Sequence, residues 1–251
     1  MDHAIYTALG AAQATLARQS IITTNLVNSS TPGFRAQLSA HRAVHVEGQG
    51  LPTRASVVAS TPGANMLPGP MDYTGRPLDV ALQGEGFLAI QLPDGSEAYT
   101  RNGSIQISPN GQMTVQGYPL IGSNGPIDIP PQATITIAAD GTISALNAGD
   151  AANTIVQIDQ LKRVKANNNE VNRGDDGLFH LTPTAQQQRG AILPNDAQIK
   201  VMPGVLEGSN VKITNGMVDM IAVARSFEMN MKTIHRLDEN EQRANQLLAM
   251  N

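Results

Sequence analysis

The chain has 251 residues, 3% aromatic side chains, no Trp and only 15% charged residues, so few large side chains are available to anchor an enzyme core. A net charge of −4 without any Lys/Arg cluster argues against nucleic-acid binding. The absence of Cys removes disulfides, zinc-thiolate sites and thiol nucleophiles together.

From Asp2 to about Asn28 the sequence predicts a helix. Ile5, Leu9, Ala12, Leu16, Thr23 and Leu26 fall near a 3.5-residue period with Gln19 filling the missing step, and Asp2 is suited to cap the start. Between Ala4 and Ser30 the only charge is Arg18, fewer than a solvated helix carries. The helix must end before Pro32, and Ser30-Thr31-Pro32-Gly33 reads as a turn.

Residues 31–75 lack a clean period and read as an extended connector that has room for a hairpin. Residues 76–204 read as a β-rich domain. Short apolar or alternating segments recur at Leu78–Leu82, Phe87–Leu92, Ser104–Ile107, Gln112–Val115, Ile127–Ile129, Thr134–Ile137, Thr142–Leu146 and Ile155–Val164. Turn signals at Asp94-Gly95, Asn102-Gly103, Asn110-Gly111, Asn124-Gly125 and Asp140-Gly141 separate them, which predicts antiparallel sheet in a small barrel or sandwich.

The last zone, 205–251, is again helical from about Ser209 to Leu248. Met220, Ala224, Phe227, Met231 and Ile234 step by four and three like a coiled-coil seam, with Leu237, Ala244 and Leu248 continuing it and Ser209 or Asn210 as a cap. The two helices would be roughly 40 and 55 Å long. They can close one globular fold, or form a helical layer shared between subunits. The low charge of the first and the length of the second favour the shared layer. The expected class is α+β, with long terminal helices flanking a central antiparallel β domain. A further expectation is that the ends are partly disordered in the free chain and fold on docking.

Candidate chemistry is thin. The five His (His3, His41, His45, His180, His235) have no acidic partners at metal-ligand spacing, and His41 and His45, which could share one helix face, lack the intervening Glu of a zinc helix. Asp175-Asp176-Gly177 is followed by none of the oxygen ligands of a calcium loop, and Gly84-Glu85-Gly86 lacks the Lys-Ser/Thr ending of a phosphate loop. No apolar run reaches the roughly 20 residues that span a bilayer, and the opening residues do not resemble a cleaved secretion signal.

Three motifs carry a resemblance. Asn25-Leu26-Val27-Asn28-Ser29-Ser30-Thr31-Pro32-Gly33-Phe34-Arg35, then Arg76-Pro77-Leu78-Asp79-Val80-Ala81-Leu82-Gln83-Gly84-Glu85-Gly86-Phe87 with Tyr99-Thr100-Arg101-Asn102-Gly103, and finally Gly204–Val211 with Arg225-Ser226-Phe227-Glu228-Met229-Asn230 resemble flagellar rod and hook proteins, in the same order. Val27 stands where that family usually has Ala. The opening Met1–Gly10 is most similar to the proximal-rod members. The resemblance implies a structural, non-enzymatic subunit with no cofactor, catalytic or metal site. Such a subunit leaves the cytoplasm uncleaved through the flagellar type III export apparatus and resides in the periplasmic rod of the basal body. It would pack with other proximal and distal rod subunits or copies of itself around a central channel, transmitting torque without membrane insertion.

Family members pair their terminal helices in an inner coiled-coil layer with the β domain outside. The contact and turn residues then expected are Ile5, Leu9, Ala12, Leu16, Asn25, Leu26, Asn28, Pro32, Gly33, Phe34, Asn210, Met220, Ala224, Phe227, Met231, Ile234 and Leu248. Alternatives are a distal-rod or hook relative, a secreted β-domain binding module, and a cell-wall hydrolase using Asp79 or Glu85.

Overall fold

The computed structural model describes residues 3–45, 55–147, 154–174 and 176–249; the proposed cap Asp2, as well as Asp175, falls outside them. The architecture is α+β and divides into two units, one helical (residues 1–27, 37–62 and 211–251) and one β-rich (residues 28–36 and 63–210).

In the helical unit, α1 (His3–Val27) and α3 (Ile213–Ala249) pack on each other, and α1 also packs on a hairpin of Ala40–His45 with Ala55–Ser60. α3 begins later than the periodicity implies. Neither Ser209 nor Asn210 caps it, because Asn210 spends its side-chain amide elsewhere, as described below.

The β unit is wholly antiparallel, and no sheet among the described residues closes on itself. The largest sheet has five strands in the order Arg163–Val164, Phe87–Gln91, Glu97–Thr100, Phe179–Leu181 and Val171–Arg173. The Phe87–Gln91 strand is apolar from Phe87 to Ile90 because both faces are covered there. Leu88 and Ile90 face a core with Ile105, Met113, Leu120, Ile143 and Leu161, while Phe87 and Ala89 face one with Tyr99, Val164, Phe179, Leu181 and Leu193. Aliphatic side chains make most of this core. Its buried aromatic members are Tyr99 and the Phe87–Phe179 pair, with ring centroids 4.9 Å apart.

The Asp94-Gly95, Asn110-Gly111, Asn124-Gly125 and Asp140-Gly141 turns each close a hairpin. Asn102-Gly103 does not. Gly103 lies against the backbone of Val80, where a Cβ would fall 1.6 Å from the carbonyl oxygen. Ile127–Ile129 is also no strand but a single bridge at Asp128, although Ile127 and Ile129 are buried. The stretch 155–164 breaks into Val156–Gln160 and Arg163–Val164, which join different sheets. A short helix, α2 (Pro183–Arg189), is started by Thr182, whose hydroxyl accepts from the Ala185 N–H.

Candidate functional site

Two arrangements of side chains stand out, one in each unit. In the helical unit, α1 has three distinct faces. Ile5, Ala8, Ala12, Thr15, Gln19, Ile22 and Leu26 step by three and four and are half or fully covered. This is the seam toward α3: Thr15 meets Asn230, and a Cβ at Gly216 would lie 3.7 Å from Leu26 Cδ1. Since position 26 meets 216 while 15 meets 230, the helices run antiparallel. A second covered row is formed by Ala11, Ala14, Ile21 and Asn25. Asn25 uses its amide like a strand residue, donating to the Gln37 carbonyl at 2.9 Å and accepting from the Gln37 N–H at 2.8 Å.

The third face of α1 is uncovered. Tyr6, Leu9, Gln13, Leu16, Ser20, Thr23 and Val27 again step by three and four, and all are exposed. Leu9 and Leu16 keep 46% and 48% of their surface, and no position on this face carries charge. Thus Ile5, Ala12 and Leu26 belong to the intramolecular seam, whereas Leu9 and Leu16 lie one residue off it.

On α3 the seam is Gly216, Met220, Val223, Phe227, Asn230, Ile234, Leu237, Glu241 and Ala244. Met220, Phe227 and Ile234 are therefore seam residues. Ala224 and Met231 are exposed, and their expected places are taken by Val223 and Asn230. Leu248 lies in the last turn of α3, its side chain outside the described residues. The N-terminal half of α3 also exposes Ile213, Met217, Val218, Ile221 and Met229.

In the β unit the three sequence motifs converge on one carboxylate. Glu207, 1% exposed, accepts from Arg35 Nη2 at 2.7 Å, from Arg101 Nε at 2.9 Å and Nη2 at 2.5 Å, and from the Gly69 N–H at 3.1 Å. Arg101 further donates to the carbonyls of Gly84, Gly86 and Leu82. Arg35 donates to the Leu67 carbonyl, and burial pulls its pKa below the ordinary guanidinium value against the raising influence of Glu207.

Around this triad lie the predicted turn residues. Phe34 N–H donates to Thr31, closing a turn with Pro32 and Gly33 at its centre, and Gly33 has φ +69°. A Cβ at Gly33 would fall 2.3 Å from the Arg101 carbonyl carbon, so only glycine fits. Gly33 N–H reaches the Glu207 carbonyl at 2.6 Å, and the Thr31 hydroxyl donates to the Asn28 side chain. Phe34 is buried under the Arg173 guanidinium, 3.8 Å from its ring centroid. Asn210 accepts from the Ala36 N–H at 2.7 Å and donates to the carbonyls of Asn65 and Leu67, both at 2.8 Å.

No group of three or more His, Asp or Glu among the described residues could hold a metal, and no described helix is long and apolar enough to cross a membrane. Asp79 is buried and paired with Arg76 and Thr74. Sequence reasoning missed Arg35, Arg101 and Glu207 as a unit, although each sits inside a quoted motif of a charge-poor chain.

Comparison with known proteins matches these same regions. The family described as flagella basal body rod protein covers residues 5–35, the flagellar hook protein FlgE/F/G D1 domain covers 81–145, and the flagellar basal body rod FlgEFG protein C-terminal family covers 202–247. Flagellar basal-body rod protein FlgF of Salmonella typhimurium and that of Escherichia coli are each 63% identical over 250 residues, covering 100% of both chains. Flagellar basal-body rod protein FlgG of Buchnera aphidicola is 32% identical, over 91% of this chain and 93% of its own. With end-to-end identity twice as high toward FlgF as toward that FlgG, the chain belongs to the FlgF family of flagellar basal-body rod proteins.

Proposed function

We propose that this rod-family chain works as a non-enzymatic structural subunit, polymerising through its helical unit into the proximal part of the rod. The observation that carries the reading is the uncovered, charge-free face of α1, together with the exposed apolar residues of α3. About half of Leu9 and Leu16 is still in water, so covering them in an assembly gains about 1 kcal/mol each. A repeated stripe adds up, and that is the logic of a polymer contact rather than a ligand site. Its neighbours would be other rod subunits, or copies of itself, around the export channel. Delivery would go through the flagellar export apparatus to the periplasmic rod.

The expectation of disordered ends rested on the helices having no partner within the chain. The packing of α1 on α3 and on the hairpin supports a helical unit formed before docking, with the third face left for the neighbour. Leu9→Asp/Leu16→Asp tests the reading. Helical circular dichroism of the free chain should be unchanged, while a strain lacking the native chain should stay non-motile and without distal rod. Motility at parental level would reject this face as the contact.

A further inference from the structure

The seam between α1 and α3 is made mostly of small or apolar side chains, with Gln19 and Glu241 as its other polar members, which leaves alignment weakly determined. Sliding one helix past the other by seven residues, about 10 Å, keeps most apolar positions opposite apolar ones and brings Asn230 opposite Ala8 or Ile22 instead of Thr15. The Arg18–Asp219 pair does little to choose between alignments, because it is 3.8 Å long with both side chains 42% or more exposed. A hydrogen bond across the seam, between described residues, does discriminate. Asn230 Nδ2 donates to Thr15 Oγ1 at 3.2 Å across the half-buried seam. The Thr15 hydroxyl proton is already given to the Ala11 carbonyl at 2.7 Å, so the oxygen is left as the acceptor the amide needs.

We propose that Asn230 and Thr15 are the register pin of the helical unit, selecting one alignment of α1 on α3 from those its seam would accept. In a slipped alignment neither Ala8 nor Ile22 can accept from the amide, and a half-buried donor without a partner disfavours that state by roughly tenfold or more. The same logic lets one polar seam residue fix alignment in coiled coils at some cost in stability. Register decides which exposed residues of α3 stand beside Leu9 and Leu16. The consequence for polymer contacts rests on the function proposed above; the register itself does not.

The test is a spin-label distance measurement on the full chain, labelled through Leu9→Cys and Met229→Cys, both exposed positions in a protein with no cysteine of its own. The parent should give one distance population. Asn230→Leu and, separately, Thr15→Val should each raise a displaced population at least about tenfold, while Thr15→Ser keeps the parental distribution. Two variants guard against a packing effect peculiar to either. An unshifted single population in both Asn230→Leu and Thr15→Val would overturn the proposal, as would a parent with no defined distance. Loss of motility in a variant with unchanged distances would count against the assembly reading's simple form, and still overturn the pin.

Discussion

Replacing Glu207 by Gln removes one negative charge from between two guanidiniums that are each 4% exposed, and keeps the shape of the side chain. In the parent, that carboxylate is the ion-pair partner of both Arg35 and Arg101. Without it, two buried cations face each other and only the backbone carbonyls of Leu67, Leu82, Gly84 and Gly86 oppose them. Breaking a buried pair by removing one partner costs about 3–5 kcal/mol, and near-complete burial leaves little solvent screening to reduce it. The assay is urea unfolding of the full chain, reading the midpoint at constant slope. Arg35→Met/Arg101→Met/Glu207→Leu should recover most of the loss, since an apolar replacement of a whole buried triad restores the balance of charge. A Glu207→Gln variant within about 1 kcal/mol of the parent would refute the claim that this triad holds the three motifs together.

Gly33→Ala should destabilise the β unit by at least about 2 kcal/mol, because both the left-handed φ and the overlap with the Arg101 backbone oppose a Cβ; thermal unfolding reads it. Asn210→Ala leaves the Ala36 N–H and two carbonyls without their partner and should cost about 2 kcal/mol in the same assay. Burial pushes the Tyr99 phenol up to about 12 from an ordinary value of 10.0. The folded state therefore keeps its proton where the unfolded chain has lost it, so stability is full below pH 10 and falls between pH 10 and about 12, by about 1.4 kcal/mol per pH unit. Denaturant titrations across that range should show the slope, and Tyr99→Phe should flatten it.

The α+β order was legible because it rests on periodicity. Both terminal helices announce themselves by apolar steps of three and four, and the Asx-Gly turns mark most hairpins. The phase of the seams was harder. α1 has three interleaved rows, and Leu9 and Leu16 look more seam-like than Ala8 and Thr15 because size, not position, dominates an apolar pattern. In the structure Ala8 and Thr15 lie on the row facing α3, and Leu9 and Leu16 stay exposed beside it. Asn230 was passed over in favour of Met231 for the same reason.

Strands such as Glu97–Thr100 and Phe179–Leu181 were missed since charged and polar residues interrupt them; the first sits in a local hairpin with Phe87–Gln91, and the pairing of Phe179 with Tyr99 joins segments far apart in the chain. α2 had a readable start in Thr182-Pro183. The triad could not be built from sequence. Its members lie 66 and 106 residues apart, and only the fold brings them to one carboxylate. The turn residues Pro32, Gly33 and Phe34 were recognisable, but what they pack against was not.

The most direct test of the assembly claim is photocrosslinking in purified basal bodies, with a crosslinker placed at Leu16 and, for comparison, at Ala12 on the covered seam. The account predicts that Leu16 captures a neighbouring rod subunit while Ala12 yields crosslinks within its own chain. Capture of neighbours from Ala12 with none from Leu16 would contradict it, because the seam assigned to the chain's own helix pair would then be the surface between subunits.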